Sequence, residues 1–423
     1  MPEATTPEIV IPNAQNVLLL HGPKQQYRIE RDYPIPKTSG KDEVLIKNSV
    51  IGLNPIDWKA PDFNFGIPEL PYISGRECSG EVVQVPDQHT KLKIGDRVIS
   101  ISTDYRDLRK GAYQEYAVAL SYNTVRLPPN VSLEDGSTLG VAFVAAALAL
   151  GVSLGVDFSD VLDGPDLFSL LRSIGEDSLP KDIREECLAS IESHERARSG
   201  DWLAIWGGEL TSSTRMGESP SNNFPGSATS ANLIIQLARL AGLKIVAVVD
   251  KAKHGLRLAN HAVIRPDLLV DSHDPERAVD IIRANTGGHL RFGIDTRGKD
   301  TAAKLLQALS PGAPSKRSTM APPSPPATPE DSTRLRAHLV GLTGLPKGPA
   351  PEASLFHTVP VKLYHEVPAV GEALSLWLER LLANGLIHAP EIIDIEEGLE
   401  NVNKGLDRMR RGEISGGKLI VRV

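Results

Sequence analysis

The residue types best suited to chemistry follow an apolar run in the middle of the chain. Trp202 to Trp206 reads as a short strand and leads into Gly207-Gly208. A helix is predicted to open near Ser227-Ala228-Thr229-Ser230, with ANLIIQLARLA (231–241) as its amphipathic body and Gly242 as its stop. Lys244 to Val249 is a second apolar strand, ending at Asp250. Glycines after a strand let backbone approach a pyrophosphate, and free N–H groups at the helix start bind it. The residue that ends the second strand meets the adenosine ribose. Gly207, Gly208, Ser227, Ala228, Thr229, Ser230 and Asp250 are therefore the expected cofactor contacts. Asp250 suits the two ribose hydroxyls of NAD. Lys251, Lys253, His254 and Arg257 crowd the same place and suit a 2′-phosphate. The expectation is NADPH, with NADH left open.

One segment interrupts this pattern. Glu209 to Gly226 (ELTSSTRMGESPSNNFPG) separates the glycines from the helix start. Without it the chain reads DWLAIWGG-SATSANLIIQLARLAG, a compact fingerprint. The segment is consistent with a retained intron, and a transcript lacking its codons is the test of that reading. Two further patterns are decoys. Gly151-Val152-Ser153-Leu154-Gly155 matches G-x-S-x-G, but it follows an apolar helix, whereas a nucleophile elbow needs a strand before it. Cys78 has no histidine near it in sequence and reads as buried and inert.

The elements that must position these residues fall into two blocks. Val44 to Val50, Ser79 to Val85, the strand after Lys93-Ile94-Gly95-Asp96, and Gly111 to Ala119 are short strands separated by turns, which suggests a barrel-like β domain. From Asp201 strands and helices alternate, with further strands at 268–271, 292–295 and 338–342, which argues a doubly wound parallel sheet. Between the blocks lies Leu139 to Val156, an uncharged run read as a buried helix rather than a membrane span. The expected domains are 1–144 with 386–423, and 145–385, the latter carrying insertions at 157–199, 209–226 and 311–331. Ser310 to Pro329 holds seven prolines and reads as a surface loop. Lys418 to Val423 reads as a last strand returning to the first domain.

Composition narrows the classes. At 423 residues the chain has room for two sizeable cores. A net charge of −7 gives no reason to expect nucleic acid or an anionic membrane as partner. Two cysteines, Cys78 and Cys187, cannot build a disulfide framework or a Cys-rich zinc lobe. The acidic, proline-dotted start carries no signal-peptide pattern, and a reducing, cytoplasmic setting is expected.

GLNPIDWK (52–59), PYISGRECSGEVV (71–83), KIGDRVIS (93–100), GAYQEYAV (111–118), LAIWGG (203–208) and SGGKLIVRV (415–423) together resemble the medium-chain dehydrogenase/reductase superfamily. Within it they are most similar to the zinc-free quinone-reductase-like branch, which includes the fungal trans-acting enoyl reductases of polyketide biosynthesis. The resemblance implies a GroES-like β-barrel domain plus a Rossmann domain, with the active site in the cleft between them. Zinc-dependent members place cysteine where this chain has Asn54 or Pro55, and histidine where it has Arg76. Arginine stays protonated and is no ligand here, so no metal is expected. The implied reaction is hydride addition to the C=C of an α,β-unsaturated carbonyl or thioester, small or carrier-bound, with a polyketide synthase as the partner in trans. Lys59, shared with the trans-acting group, is the expected proton donor, and Asn54 an expected donor to the nicotinamide ribose or the substrate. Two departures stand out: Phe65 where related enzymes carry tyrosine, and Ala145 where the group carries threonine. They keep two other readings open, a quinone or enone reductase on free small molecules and a non-redox cyclase or pseudo-enzyme.

Overall fold

The computed structural model describes residues 10–86, 90–207, 228–311 and 335–423. Gly208, Ser227 and the 209–226 segment lie outside them, as does 312–331.

The apolar runs after residue 200 form one six-stranded parallel sheet. Its order is Leu268–Asp271, Lys244–Val249, Trp202–Trp206, Phe292–Asp295, Ala337–Gly341, Ser354–His357. Counted along the chain this is 3-2-1-4-5-6, the Rossmann order, with its switch point between Trp202–Trp206 and Phe292–Asp295. The strands are apolar at almost every position because both faces are covered. Leu203, Ile205, Ile245 and Ile294 pack on one face against Leu233, Ile234 and Leu237 of the helix Ala228–Leu240. Ala204, Trp206, Val246 and Val248 pack on the other against Pro275–Thr286 and Lys299–Ala308. The sixth strand, Ser354–His357, has a polar residue at each end and only two apolar ones between, and was not read from sequence.

The other sheet runs Ile392–Glu397, Lys418–Arg422, Glu43–Gly52, Glu77–Gln84, Arg97–Ile101, Thr124–Arg126, with Tyr116–Leu120 also on Glu43–Gly52. Ile420 pairs Gly52 and Arg422 pairs Val50, so the last strand does close back on the first block. A smaller sheet of Arg28–Pro34, Ala14–Leu20 and Tyr72–Ile73 flanks it. This is the GroES-like barrel joined to a Rossmann sheet.

The apolar run after residue 139 is the helix Gly140–Leu148, buried at every residue and continued in wider turns through Ala149–Ser153. It lies within Leu133–Ser153, a stretch long and apolar enough to cross a membrane, yet the hydrophobic window of that stretch is wholly enclosed by protein. The 157–199 segment, expected as an insertion, is anchored in the same core. Phe158, Leu167, Leu171, Leu179 and Cys187 are all buried in it. Its helices include Leu167–Ile174 and a short Arg184–Leu188.

Candidate active site

Gly207 ends the central strand at the switch point, and its N–H donates to Val248 O at 3.0 Å. A Cβ added there would lie 3.2 Å from both Ala231 Cβ and Thr296 Oγ1. The strand end, the helix start and the next strand converge so tightly that a side chain would fill the space a pyrophosphate backbone contact needs. Ala228, Thr229 and Ser230 form the first turn of the helix beside it, the last two buried. The close approach at Gly207 and the helix start beside it are what a dinucleotide pyrophosphate needs of a strand end.

Asp250 ends the second strand as expected. It is buried and caps Lys251–Asn260, its Oδ1 accepting from Lys253 N at 3.1 Å. Lys251 and Lys253 are exposed beside it. The other two expected cations are differently engaged. His254 Nε2 lies 2.9 Å from Ser415 Oγ, and Arg257 donates to Gly416 O at 3.1 Å while pairing Glu391 at 2.8 Å. They tie the turn before the last strand to the Rossmann half.

Sequence reading missed the partner across the switch point. Asp295 ends the fourth strand, fully buried. Its Oδ1 accepts from Arg297 N at 2.9 Å and Gly298 N at 2.7 Å, while Oδ2 has no partner among the described residues. Burial pushes this carboxyl up to about 7, even though those N–H groups pull the other way. Thr343 Oγ1, just past the fifth strand, is likewise buried without a partner among the described residues. The available signal was the rule that ligands sit outside the carboxyl ends of the strands, applied to FGIDTRG as it was to WLAIWGG.

On the barrel side, Asn54 begins the helix Pro55–Phe63, and its N–H donates to Asp57 Oδ2 at 2.8 Å. Its side chain is spent within the protein. Nδ2 donates to Glu77 Oε1 at 2.9 Å and Gly52 O at 3.2 Å, and Oδ1 accepts from Lys418 Nζ at 3.1 Å. Both amide hydrogens expected to reach ribose or substrate are thus already used, and Asn54 acts as a positioning residue. Lys418 also forms an ion pair with Glu77, whose Oε2 accepts from Val141 N at 2.8 Å. Lys418 and Glu77 are buried, and together with Asn54 they lock the last strand, the helix start and the core helix to one another.

Lys59 is half-buried on that helix, with its Nζ 5.6 Å from the Trp58 ring centre. No carboxylate pairs with it among the described residues, and burial lowers its pKa below the ordinary lysine value. Phe65 is half-buried just beyond the helix, and Ala145 is buried within Gly140–Leu148.

Arg76 is buried among Tyr27, Asp57, Tyr72 and Tyr113. Burial disfavours its charge, but Tyr72 and Asp57 outweigh that and hold the guanidinium above its usual value. Burial in turn pushes Asp57 up to about 6, against the pull of Arg76. A permanent cation at this place and a neighbouring Cys78 engaged with Asn48 Oδ1 at 3.0 Å do not make a zinc donor set. Among the described residues, the cluster of histidine and carboxylate groups close enough to share an ion is Asp250, Asp271 and His273, on the other sheet.

The decoys resolve as expected. Ser153 is buried at a helix end and donates to Glu186 Oε1 at 2.8 Å. Glu186 also meets His357, which meets His338, so this is an internal polar chain rather than a nucleophile elbow. Burial pushes the Cys78 thiol up to about 12, which leaves it inert at neutral pH.

Residues 40–129 match the alcohol dehydrogenase GroES-like domain. A trans-enoyl reductase of Aspergillus niger is 26% identical over 429 residues, spanning 100% of each chain. A trans-enoyl reductase of a Fusarium species is 26% identical over 402 residues, covering 93% of this chain and 94% of that one. The crystal structure of a quinone oxidoreductase from Pseudomonas syringae superposes with a TM-score of 0.62, covering 97% of this chain and 100% of that one at 18% identity. That last likeness shows the shared fold.

Proposed function

Because this chain belongs to the medium-chain dehydrogenase/reductase superfamily, we propose that it is a zinc-independent enoyl reductase. It uses NADPH to reduce the C=C of an α,β-unsaturated thioester, delivered on the carrier of a polyketide synthase acting in trans. Support for the substrate class comes from the full-length relatives named as trans-enoyl reductases. The observation that carries the metal-free mechanism is Arg76, buried and fully charged where a zinc ligand would stand.

Gly207 and the helix start beside it would hold a nicotinamide cofactor, which would supply a hydride for the β-carbon of the enoyl group. The protein must then do two things, stabilise the carbonyl oxygen as charge gathers there and return a proton to the α-carbon. Lys59 Nζ is suited to both roles. It is half-buried, pairs with no carboxylate among the described residues, and holds a proton that burial makes easier to give up. Phe65 has no acidic proton and leaves the donation to Lys59. Asn54, Glu77 and Lys418 fix the start of the helix that carries Lys59, and so set where its amine reaches. Asp250 and Lys253 face the adenosine end, and Asp295 and Thr343 the opposite side of the switch point.

The test is consumption of NADPH by the purified protein against a panel of enoyl thioesters, free enones and quinones. Turnover of thioesters above free quinones supports the reading. Preferential turnover of quinones replaces it with a quinone reductase, and failure to bind NADPH or NADH at all replaces it with a non-redox protein on this fold.

A further inference from the structure

The second and third strands of the Rossmann sheet end side by side, with Val249 paired to Asp271. The residues just past those ends form a small charged ring. His273 Nδ1 lies 3.0 Å from Asp271 Oδ1, and its Nε2 lies 3.6 Å from Asp250 Oδ2. Asp271 Oδ1 also accepts from Lys251 N at 3.2 Å. Asp250 Oδ1 is taken by Lys253 N, and Lys253 Nζ stands 3.8 Å from Asp250 Oδ2. Asp274, next along the chain, is turned to its own helix, accepting from Arg277 N at 3.1 Å. The outer oxygen of the ribose-facing acid is therefore flanked by an imidazole that a second carboxylate holds from behind.

We propose that His273 is the selectivity residue for the adenosine ribose. Its imidazolium form covers Asp250 and presents an N–H to a 2′-phosphate. Its neutral form leaves the Asp250 carboxylate to take the two hydroxyls of NADH. The proposal rests on the reading of this sheet as a dinucleotide site and adds what chooses between the two dinucleotides there.

A 2′-phosphate brings nearly two negative charges next to a buried aspartate, which repels it. A cation between them removes the repulsion. The hydrogen bond that the ring donates to Asp271 and the charges of Asp250 and Asp271 all favour the protonated ring, while the Lys253 ammonium opposes it. The ring's pKa is accordingly raised above the ordinary histidine value. His273 is solvent-exposed, so the expected effect is modest, about two- to fivefold in relative affinity.

The experiment is a direct binding titration of NADPH and of NADH, by quenching of protein fluorescence, from pH 6 to 9. It is run on the wild type, His273→Gln and Asp271→Asn. The NADPH/NADH affinity ratio of the wild type is divided by that of H273Q at each pH, which cancels the titration of the phosphate itself. The expected result is a quotient about two- to fivefold higher at pH 6 than at pH 9, with the transition moved to lower pH in D271N. Binding of both cofactors with a quotient that does not change with pH overturns the role of His273 alone. Failure to bind either cofactor overturns the enoyl reductase reading together with it.

Discussion

Replacing Lys418 with methionine removes the cation that pairs with Glu77 at the junction of the last strand, the Asn54 turn and the core helix. The side chains of Lys418 and Glu77 are 2% and 0% exposed. In K418M the carboxylate keeps its bonds from Asn54 Nδ2 and Val141 N, but its charge loses the partner that offset desolvation. Breaking a buried pair from one side costs about 3–5 kcal/mol. A second change separates charge from packing. The double variant K418M/E77Q keeps an amide oxygen for one of those donors and carries no buried charge, so it recovers most of the loss. A chain with two sheets need not unfold in one step, so the readout is local. Urea melts are combined with hydrogen exchange of the amides in Glu43–Gly52, which pair directly with Lys418–Arg422. A K418M cost below about 1 kcal/mol, or a double variant no more stable than the single one, refutes the claim that this pair holds the junction as a charge pair.

Lys59→Met is expected to lower kcat by about 100-fold or more with little change in cofactor affinity, the signature of a lost proton donor. In the wild type the alkaline limb of kcat begins below the ordinary lysine pKa, since burial favours the neutral amine and the donor must be protonated to act. Gly207→Val is expected to weaken dinucleotide binding at least about tenfold, as its side chain would press on Ala231 and Thr296, and calorimetric titration with NADPH checks it. Asp295 gives a stability prediction with a definite sign. Its folded carboxyl is pushed up to about 7 while an unfolded one titrates near 4, so the folded state binds more protons in between. Stability then falls as pH rises through that window. Asp295→Asn keeps an oxygen for the Arg297 and Gly298 N–H groups, flattens this dependence, and gains roughly 1–3 kcal/mol at pH 8, as thermal melts of the cofactor-free protein would show.

The parts of the fold that were legible in sequence share one property: a pattern set by burial on both faces. WLAIW and KIVAVV could only be interior parallel strands, and the helix between them carries its apolar stripe at the right period. Ser354–His357 and Ile392–Glu397 escaped because edge strands carry polar side chains and lose that pattern. The 157–199 segment misled through its charge, which hides five well-spaced apolar anchors. At the site, glycines and a strand-terminal acid announced the cofactor half, because those positions demand particular residue types. Asn54 was visible but its role was not. Only the return of Lys418 from the far end of the chain, and of Glu77 from the neighbouring strand, shows that its amide is used internally. Asp295 and His273 stayed hidden because each depends on which strand ends lie side by side, a matter of sheet order rather than local sequence.

The central claim is that this protein moves a hydride from a nicotinamide cofactor to a carrier-type enoyl thioester, without a metal, with Lys59 returning the proton. Its most direct test is NADPH oxidation by the chelator-treated wild type and K59M with an enoyl thioester. The chelated wild type is expected to turn over and form the saturated thioester, and turnover is expected to collapse in K59M while NADPH still binds. Activity that disappears on chelation and returns with zinc, or that survives unchanged in K59M, contradicts the claim.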